Sequence, residues 1–134
     1  MNTPNLPYAG AVSPREAWRM HTEEGAVIVD VRTKPEWEFV GAYPGATFIE
    51  WRGYGAPGPN PNFAAELRAR FTPDTPLLFL CRSGGRSHQA ATLAAAAGYQ
   101  RAFNILEGFE GEKGPDAHRG HQGWRAAGLP WQQG

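Results

Sequence analysis

The sequence contains a single cysteine, Cys81, between a short apolar run and a loop of charged and small residues. The apolar run covers 77–80 and is bounded by Pro76, which favours a short buried strand. The residues from 88 to 97 are rich in strong helix formers and stop at Gly98, which is typical of a helix and its carboxyl-terminal cap. Cys81 is therefore predicted at the carboxyl end of a strand, with the following loop leading into the amino terminus of a helix.

The loop after the cysteine favours the thiolate form of Cys81. A helix amino terminus carries partial positive charge and unpaired N–H groups. Arg82 and Arg86 add two full charges close by. Gly84 and Gly85 let the loop curve, so that successive N–H groups point at one spot and hold an anion or the negative end of an adduct on sulfur. These residue types indicate a nucleophilic cysteine, because the packing of a purely structural cysteine would not require such a loop after it.

Strands and helices alternate along the rest of the chain. Strands are predicted over 26–31, 46–50, 77–80 and 102–106, with a Gly/Pro/Asn-rich loop over 53–62. Helices are predicted to start with capping boxes at Ser13 and Thr33, to cover 63–71, to follow a cap at Ser87, and to form a last turn over 124–127. This alternation predicts an α/β fold: a doubly wound parallel sheet of about four to five strands with helices on both faces.

In such a sheet, functional residues lie at the carboxyl ends of the strands. Asp30 and Cys81 both end strong strand candidates, so they are expected at the same edge. A carboxylate in contact with Cys81 would disfavour the thiolate, and Asp30 is therefore expected to contact an arginine or loop N–H groups instead.

Length and composition indicate one packed domain. The chain has 134 residues, of which 41% are hydrophobic, and its 13 basic and 13 acidic residues cancel. Residues 1–12 are predicted to be a mobile lead-in and 13–134 a single domain. The balanced charge points to neither nucleic acid nor membrane as partner. A single cysteine suits a cytoplasmic protein, and the first residues lack the basic and apolar regions of a signal peptide.

The cysteine loop resembles the active-site loop of the rhodanese (thiosulfate sulfurtransferase) family in its single-domain form. The resemblance extends over about 13–131 and includes three shorter motifs in the same order: Asp30-Val31-Arg32, Pro44-Gly45-Ala46 and Leu106-Glu107-Gly108. Two departures stand out. The family usually has a histidine where this chain has Ala42, and the polar segment 110–123 is longer than usual, so we expect it to form a surface loop near the active site.

The resemblance implies a sulfurtransferase in which Cys81 carries sulfur as a persulfide. The active-site loop that binds the substrate would comprise six residues: Arg82, Ser83, Gly84, Gly85, Arg86 and Ser87. Asp30 and Arg32 would support this loop. The partners would be a small anionic sulfur donor and a thiol, cyanide or protein acceptor. No metal and no organic cofactor is implied.

Two alternatives differ from this interpretation. Related phosphatases and arsenate reductases place five residues between cysteine and arginine, whereas four residues separate Cys81 from Arg86 here, which gives a smaller ring. A sulfur carrier or regulatory module without turnover would keep the cysteine but react only with its partner. His118 and His121 lack further ligands at suitable spacing for a metal site, and His88 is expected at the surface.

Overall fold

The computed structural model describes residues 6–53, 56–82, 85–111 and 123–132. Within these ranges the chain forms five strands: β1 Gly10–Val12, β2 Val27–Asp30, β3 Thr47–Phe48, β4 Leu77–Leu80 and β5 Ala102–Ile105. The same ranges contain five helices: α1 Pro14–Glu24, α2 Lys34–Phe39, α3 Phe63–Arg70, α4 Gly85–Ala96 and α5 Gly123–Ala126. No helix in the described ranges is long and apolar enough to cross a membrane.

The strands form one parallel sheet in the order β1-β5-β4-β2-β3. Helices α3 and α4 pack together over one face and α1 and α5 over the other. The predicted α/β architecture is therefore confirmed. Strand β4 lies at the centre, and all four of its residues are fully buried, as its continuous apolar run predicts.

Side-chain alternation along β4 decides which face receives the cysteine. Leu78 and Leu80 pack in the cluster beneath α1 and α5, whereas Leu77, Phe79 and Cys81 pack in the cluster beneath α3 and α4. Successive side chains of a strand point to opposite faces, so Cys81 continues the row begun by Leu77. The thiol therefore lies on the side of the sheet that α4 covers.

The sheet also includes part of the predicted lead-in. Residues Gly10–Val12 form β1 and pair with β5, and Tyr8 is buried. The structure therefore places residues 10–12, which the sequence assigns to the mobile lead-in, in the sheet. A three-residue edge strand that contains glycine is too short to show an alternating pattern, and its formation depends on the open hydrogen-bonding edge of β5.

The helix after the cysteine begins earlier than predicted. Helix α4 starts at Gly85, so Arg86 and Ser87 lie in its first turn and Ser87 is not the cap. The Ser87 side chain is buried and bonds within the site. At the other predicted caps, Ser13 accepts from the Glu16 N–H, but the Glu16 carboxylate pairs with Arg19 rather than closing a capping box.

An aromatic cluster lies near Ala42, where the sequence departs from the family motif. Tyr43 packs against Trp18 and Trp124, with ring centroids 5.5 and 5.6 Å apart. The hydroxyl of Tyr43 lies 2.9 Å from Nε2 of His21, whose Nδ1 lies 2.8 Å from the carbonyl oxygen of Ala26. The hydrogen-bonded pair of Tyr43 and His21 thus stabilises this part of the fold, in which Ala42 has no polar side chain.

Candidate active site

Cys81 directly follows the central strand and is almost completely buried, at 1% exposure. Its neighbours in the sheet bring other predicted residues to the same edge. Asp30 is in register with Leu80 on the adjacent strand, and Asn104 on β5 is in register with Phe79. The expectation that Asp30 and Cys81 share an edge therefore agrees with the strand register.

The thiol of Cys81 lies next to a buried polar pair. The Sγ atom is 3.2 Å from Oγ of Ser87, and the Ser87 hydroxyl donates to Oδ1 of Asn104 over 2.5 Å. Ser87 reaches the thiol from the first turn of α4, while Asn104 comes from β5. Sequence reasoning did not identify Asn104, although a polar residue within the strand 102–105, next to the central strand, was an available signal.

Arg86 is held by a carboxylate that sequence reasoning assigned only to a helix cap. Nη1 and Nη2 of Arg86 donate to the two carboxylate oxygens of Glu36, over 2.6 and 2.9 Å. Glu36 also accepts from the backbone N–H of Thr33 and so closes the predicted capping box. One carboxylate thus fixes the start of α2 and the arginine beside the cysteine.

This pairing stabilises the charges of both groups. Burial disfavours the ionised Glu36, but hydrogen bonds from Arg86 and Thr33 outweigh this effect and lower the pKa of Glu36 to about 2. Hydrogen bonding to Glu36 raises the pKa of Arg86, with smaller contributions from the negative charges of Cys81 and Asp30, although burial opposes the shift. The guanidinium is therefore a fixed positive charge near the thiol.

Asp30 and Arg32 form a fully buried ion pair. Arg32 donates to the Asp30 carboxylate from its backbone N–H, from Nε and, over 2.8 Å, from Nη2. Every hydrogen bond to this carboxylate within the described part of the chain comes from Arg32. Asp30 therefore contacts an arginine, as expected, and it does so through Arg32.

The arginine of this pair connects two other segments. Its Nη2 also donates to the carbonyl of Gly41 over 2.8 Å, and its guanidinium lies 4.1 Å from the ring centroid of Phe109. Phe109 in turn donates its backbone N–H to the carbonyl of Cys81 over 2.7 Å. The contact between the ion pair and the cysteine backbone therefore runs through Phe109.

The turn that follows β5 holds the backbone after the central strand. Besides the bond from Phe109, the N–H groups of Glu110 and Gly111 donate to the carbonyl of Arg82 over 3.0 and 3.2 Å. Gly108 has φ +63, and a Cβ there would lie 2.6 Å from the Cys81 and Arg82 carbonyl oxygens. The motif at 106–108 thus allows two backbone segments to approach more closely than any side chain permits.

A cavity of about 570 Å³ opens beside these residues. Helix α2 and Thr33 form one wall, Arg52 and Gly53 another, and Arg82, Arg86 and Glu110 complete the lining. Arg82 is about half exposed and lies 3.4 Å from the Glu110 carboxylate. Both arginines of the cysteine loop therefore border one cavity.

Several residues considered in the sequence analysis lie outside the described residues: Ser83, Gly84, His118, His121 and most of the segment 110–123. His88 is described and is exposed, as expected, and its Nδ1 lies 2.7 Å from the hydroxyl of Tyr8. The residues that the structure describes contain no group of histidine, cysteine, aspartate or glutamate side chains that could hold a metal ion.

Several known proteins are similar to this chain in sequence or in fold. Residues 13–113 match the family model of the Rhodanese-like domain. The crystal structure of Rv0390 from M. tuberculosis is similar, with a TM-score of 0.86, 46% identity and coverage of 95% of this chain and 99% of that one. An uncharacterised protein of Rickettsia prowazekii is 38% identical, over 80% of this chain and 83% of its own. Thiosulfate sulfurtransferase GlpE of Actinobacillus succinogenes is 28% identical, over 90% of this chain and 88% of its own.

The close approach at Gly108 predicts a specific effect of adding a methyl group. Gly108→Ala should lower the free energy of unfolding by about 2 kcal/mol more than Gly25→Ala, because only at Gly108 of these two does the new Cβ meet backbone atoms. Gly25 has φ +74 and Gly108 has φ +63, so the second variant controls for backbone strain. Chemical denaturation measures both values, and equal losses would contradict the proposed contact.

The depressed pKa of Glu36 predicts a pH dependence of stability. Because the pKa falls from 4.5 to about 2 on folding, the ionised carboxylate stabilises the protein above pH 4.5, and this contribution disappears as pH falls towards 2. Glu36→Gln should therefore cost about 1–2 kcal/mol at pH 7, allowing for solvent screening, and progressively less below pH 5. Denaturation at a series of pH values measures this. A difference that stays constant down to pH 2 would refute it. The control is Glu16→Gln, which removes the carboxylate of the exposed ion pair between Glu16 and Arg19.

Proposed function

The chain belongs to the rhodanese-like domain family, and on this premise we propose that it is a sulfurtransferase that carries sulfur on Cys81. The observation that supports this most is the position of the single cysteine. Cys81 directly follows the central strand, its carbonyl accepts a hydrogen bond from the Phe109 N–H, and the fixed charge of Arg86 lies nearby. A thiolate at such a place can attack an electrophilic sulfur.

The first half-reaction is attack on a donor such as thiosulfate. The Cys81 thiolate forms a bond to the outer sulfur of thiosulfate, the sulfur–sulfur bond of the donor breaks, and sulfite leaves with the bonding electrons. The product is a persulfide on Cys81. Arg82, which is about half exposed at the cavity, is suited to attract the anionic donor, while Arg86 stabilises negative charge near the thiol.

The loop and the residues that contact the thiol have distinct roles in this proposal. Backbone N–H groups of the loop after Cys81 would hold the outer sulfur of the persulfide, as the sequence interpretation expects. The Ser87 hydroxyl lies within hydrogen-bonding distance of Sγ and of Asn104, so rotation about its Cβ–Oγ bond would turn its one hydrogen from Asn104 to the thiolate when this forms. Asp30 and Arg32 act as positioning residues through Gly41 and Phe109.

The second half-reaction transfers the outer sulfur to an acceptor. Cyanide, a thiol or a protein thiolate attacks that sulfur, and the Cys81 thiolate leaves and is ready for another donor. With four residues between Cys81 and Arg86, the loop suits one sulfur atom rather than a tetrahedral oxyanion, so hydrolysis of aryl phosphates should be near background.

Treatment with thiosulfate tests the proposal directly. Intact mass spectrometry should show one added sulfur, which dithiothreitol removes, and Cys81→Ser should prevent the addition. Steady-state thiosulfate:cyanide turnover then separates an enzyme from a carrier that transfers sulfur only to its partner. An adduct that persists in the serine variant would refute the assignment to Cys81.

Arg86 provides a second test, because its two-pronged contact with Glu36 cannot be copied by a lysine. Arg86→Lys keeps the charge but loses the paired hydrogen bonds. We expect thiosulfate:cyanide turnover to fall about tenfold, which corresponds to about 1.4 kcal/mol of transition-state stabilisation. Arg101→Lys, at an exposed site away from the cavity, should behave as wild type. Full turnover in a folded Arg86→Lys protein would mean that charge alone suffices.

A further inference from the structure

Three buried side chains meet where the central strand ends. Oγ of Ser87 lies 3.2 Å from Sγ of Cys81 and donates its hydrogen to Oδ1 of Asn104 over 2.5 Å. The exposed fractions of Ser87, Cys81 and Asn104 are 0%, 1% and 5%. A buried hydroxyl is costly to leave without an acceptor, so the Ser87 hydrogen exchanges between groups of the protein rather than with bulk water.

The two acceptors on either side of the Ser87 hydroxyl differ in strength. A hydroxyl has a single hydrogen, so Ser87 donates to Sγ or to Oδ1 of Asn104 and not fully to both. A charged acceptor forms the stronger hydrogen bond. The amide oxygen of Asn104 is neutral throughout, whereas the charge on Sγ changes during sulfur transfer. The preferred partner of the hydroxyl therefore depends on the state of the cysteine.

Loading with sulfur moves negative charge away from Sγ. The resting thiolate carries its charge on this atom. When the thiolate attacks thiosulfate, Sγ forms a bond to the outer sulfur, the donor's sulfur–sulfur bond breaks, and sulfite leaves with the bonding electrons. The thiolate anion and the thiosulfate dianion thus become a persulfide anion and a sulfite dianion, and the persulfide carries its charge on the outer sulfur. Sγ is then a weak acceptor, and Asn104 becomes the better partner for the Ser87 hydrogen.

We propose that Asn104 is a positioning residue that sets the balance between the resting and the sulfur-loaded forms of Cys81, by competing with Sγ for the hydrogen of Ser87. The inference rests on the proposed sulfurtransferase function. In the resting thiolate the hydroxyl donates to Sγ, and in the persulfide it returns to Asn104. An amide oxygen suits this role because it satisfies the hydroxyl but is too weak to hold it against a thiolate. Pairing of β5 with β4 fixes the place of this acceptor beside the cysteine.

Two substitutions of Asn104 should shift the loading equilibrium in opposite directions. Asn104→Leu, similar in size, removes the acceptor, so the hydroxyl favours the thiolate, and the loaded-to-resting ratio should fall about fivefold at a given ratio of thiosulfate to sulfite. Asn104→Asp supplies a charged acceptor and should raise the ratio by about the same factor. Intact mass after an acid quench measures it at about pH 9, where a cysteine thiol is mostly ionised. Cys81 is the single cysteine, so the added mass reports this site alone.

The rates of the two half-reactions distinguish this role from a general disturbance of the site. In Asn104→Leu, loading by thiosulfate should slow and discharge of the loaded protein to cyanide should quicken, because Sγ regains its charge as it leaves. Asn104→Asp should change both rates the other way, whereas a disturbed site would slow both half-reactions in both variants. Asn62→Leu and Asn62→Asp, the same changes at an exposed asparagine before α3, should behave as wild type.

The same substitutions in a Ser87→Ala background show whether Asn104 acts through the hydroxyl. Without the hydroxyl, Asn104→Leu should leave the loading ratio unchanged. Asn104→Asp should keep only the part of its effect that comes from direct repulsion between its carboxylate and Sγ. In a Ser87→Thr background, which retains the hydroxyl, both changes should act as they do beside the natural serine.

The outcomes separate this inference from the proposed function. If thiosulfate fails to load the wild-type protein, the sulfurtransferase proposal fails, and this inference fails with it. If loading succeeds but Asn104→Leu and Asn104→Asp keep the wild-type ratio, or shift it equally with and without the Ser87 hydroxyl, Asn104 does not set the balance. Circular dichroism checks that each variant is folded. Should Asn104→Leu not fold, the nearly isosteric Asn104→Asp, compared with and without the hydroxyl, decides the question.

Discussion

The carbonyl groups of Cys81 and Arg82 lie beyond the end of the central strand and must find hydrogen bonds there, because buried backbone groups are costly to leave unpaired. They find them in the turn 107–111, where N–H groups of three consecutive residues donate to these two carbonyls. The approach requires Gly108, since a side chain at this point would overlap both carbonyls. The backbone of Cys81 is thereby held from one side, and its thiol packs in the cluster beneath α3 and α4.

The buried pair Asp30–Arg32 contributes to the same arrangement by geometry more than by energy. Burying two charges is costly, and a buried ion pair is often no more stabilising than apolar residues of the same size. Removing one partner, however, leaves an uncompensated buried charge, at a cost of about 3–5 kcal/mol. Since the Arg32 side chain also binds Gly41 and covers Phe109, the pair fixes the segment after α2 relative to the turn that holds Cys81.

The charges at the site form a graded series from buried to exposed. Arg32 is fully buried and structural, Arg86 is partly buried and held by Glu36, and Arg82 is about half exposed at the cavity. The exposure of each arginine limits its role in the proposed function: Arg32 would orient backbone, Arg86 would supply a fixed positive charge, and Arg82 could meet an incoming anion. In this proposal, positioning, electrostatic stabilisation and attraction of the donor are divided among three arginines of different exposure.

The sequence by itself predicted most of the local elements and marked Cys81 as the proposed nucleophile. The apolar run before Cys81, the caps at Ser13 and Thr33 and the alternation of strands with helices predicted the fold class, because hydrophobic periodicity and capping act over a few neighbouring residues. Only the tertiary structure decided which partners meet at the site. Glu36 reaches Arg86 across 50 positions, Asn104 reaches Ser87 across 17, and the 107–111 turn reaches the cysteine backbone from another strand. These contacts depend on strand order and register, which arise from pairing between distant segments and leave no short-range pattern in the sequence.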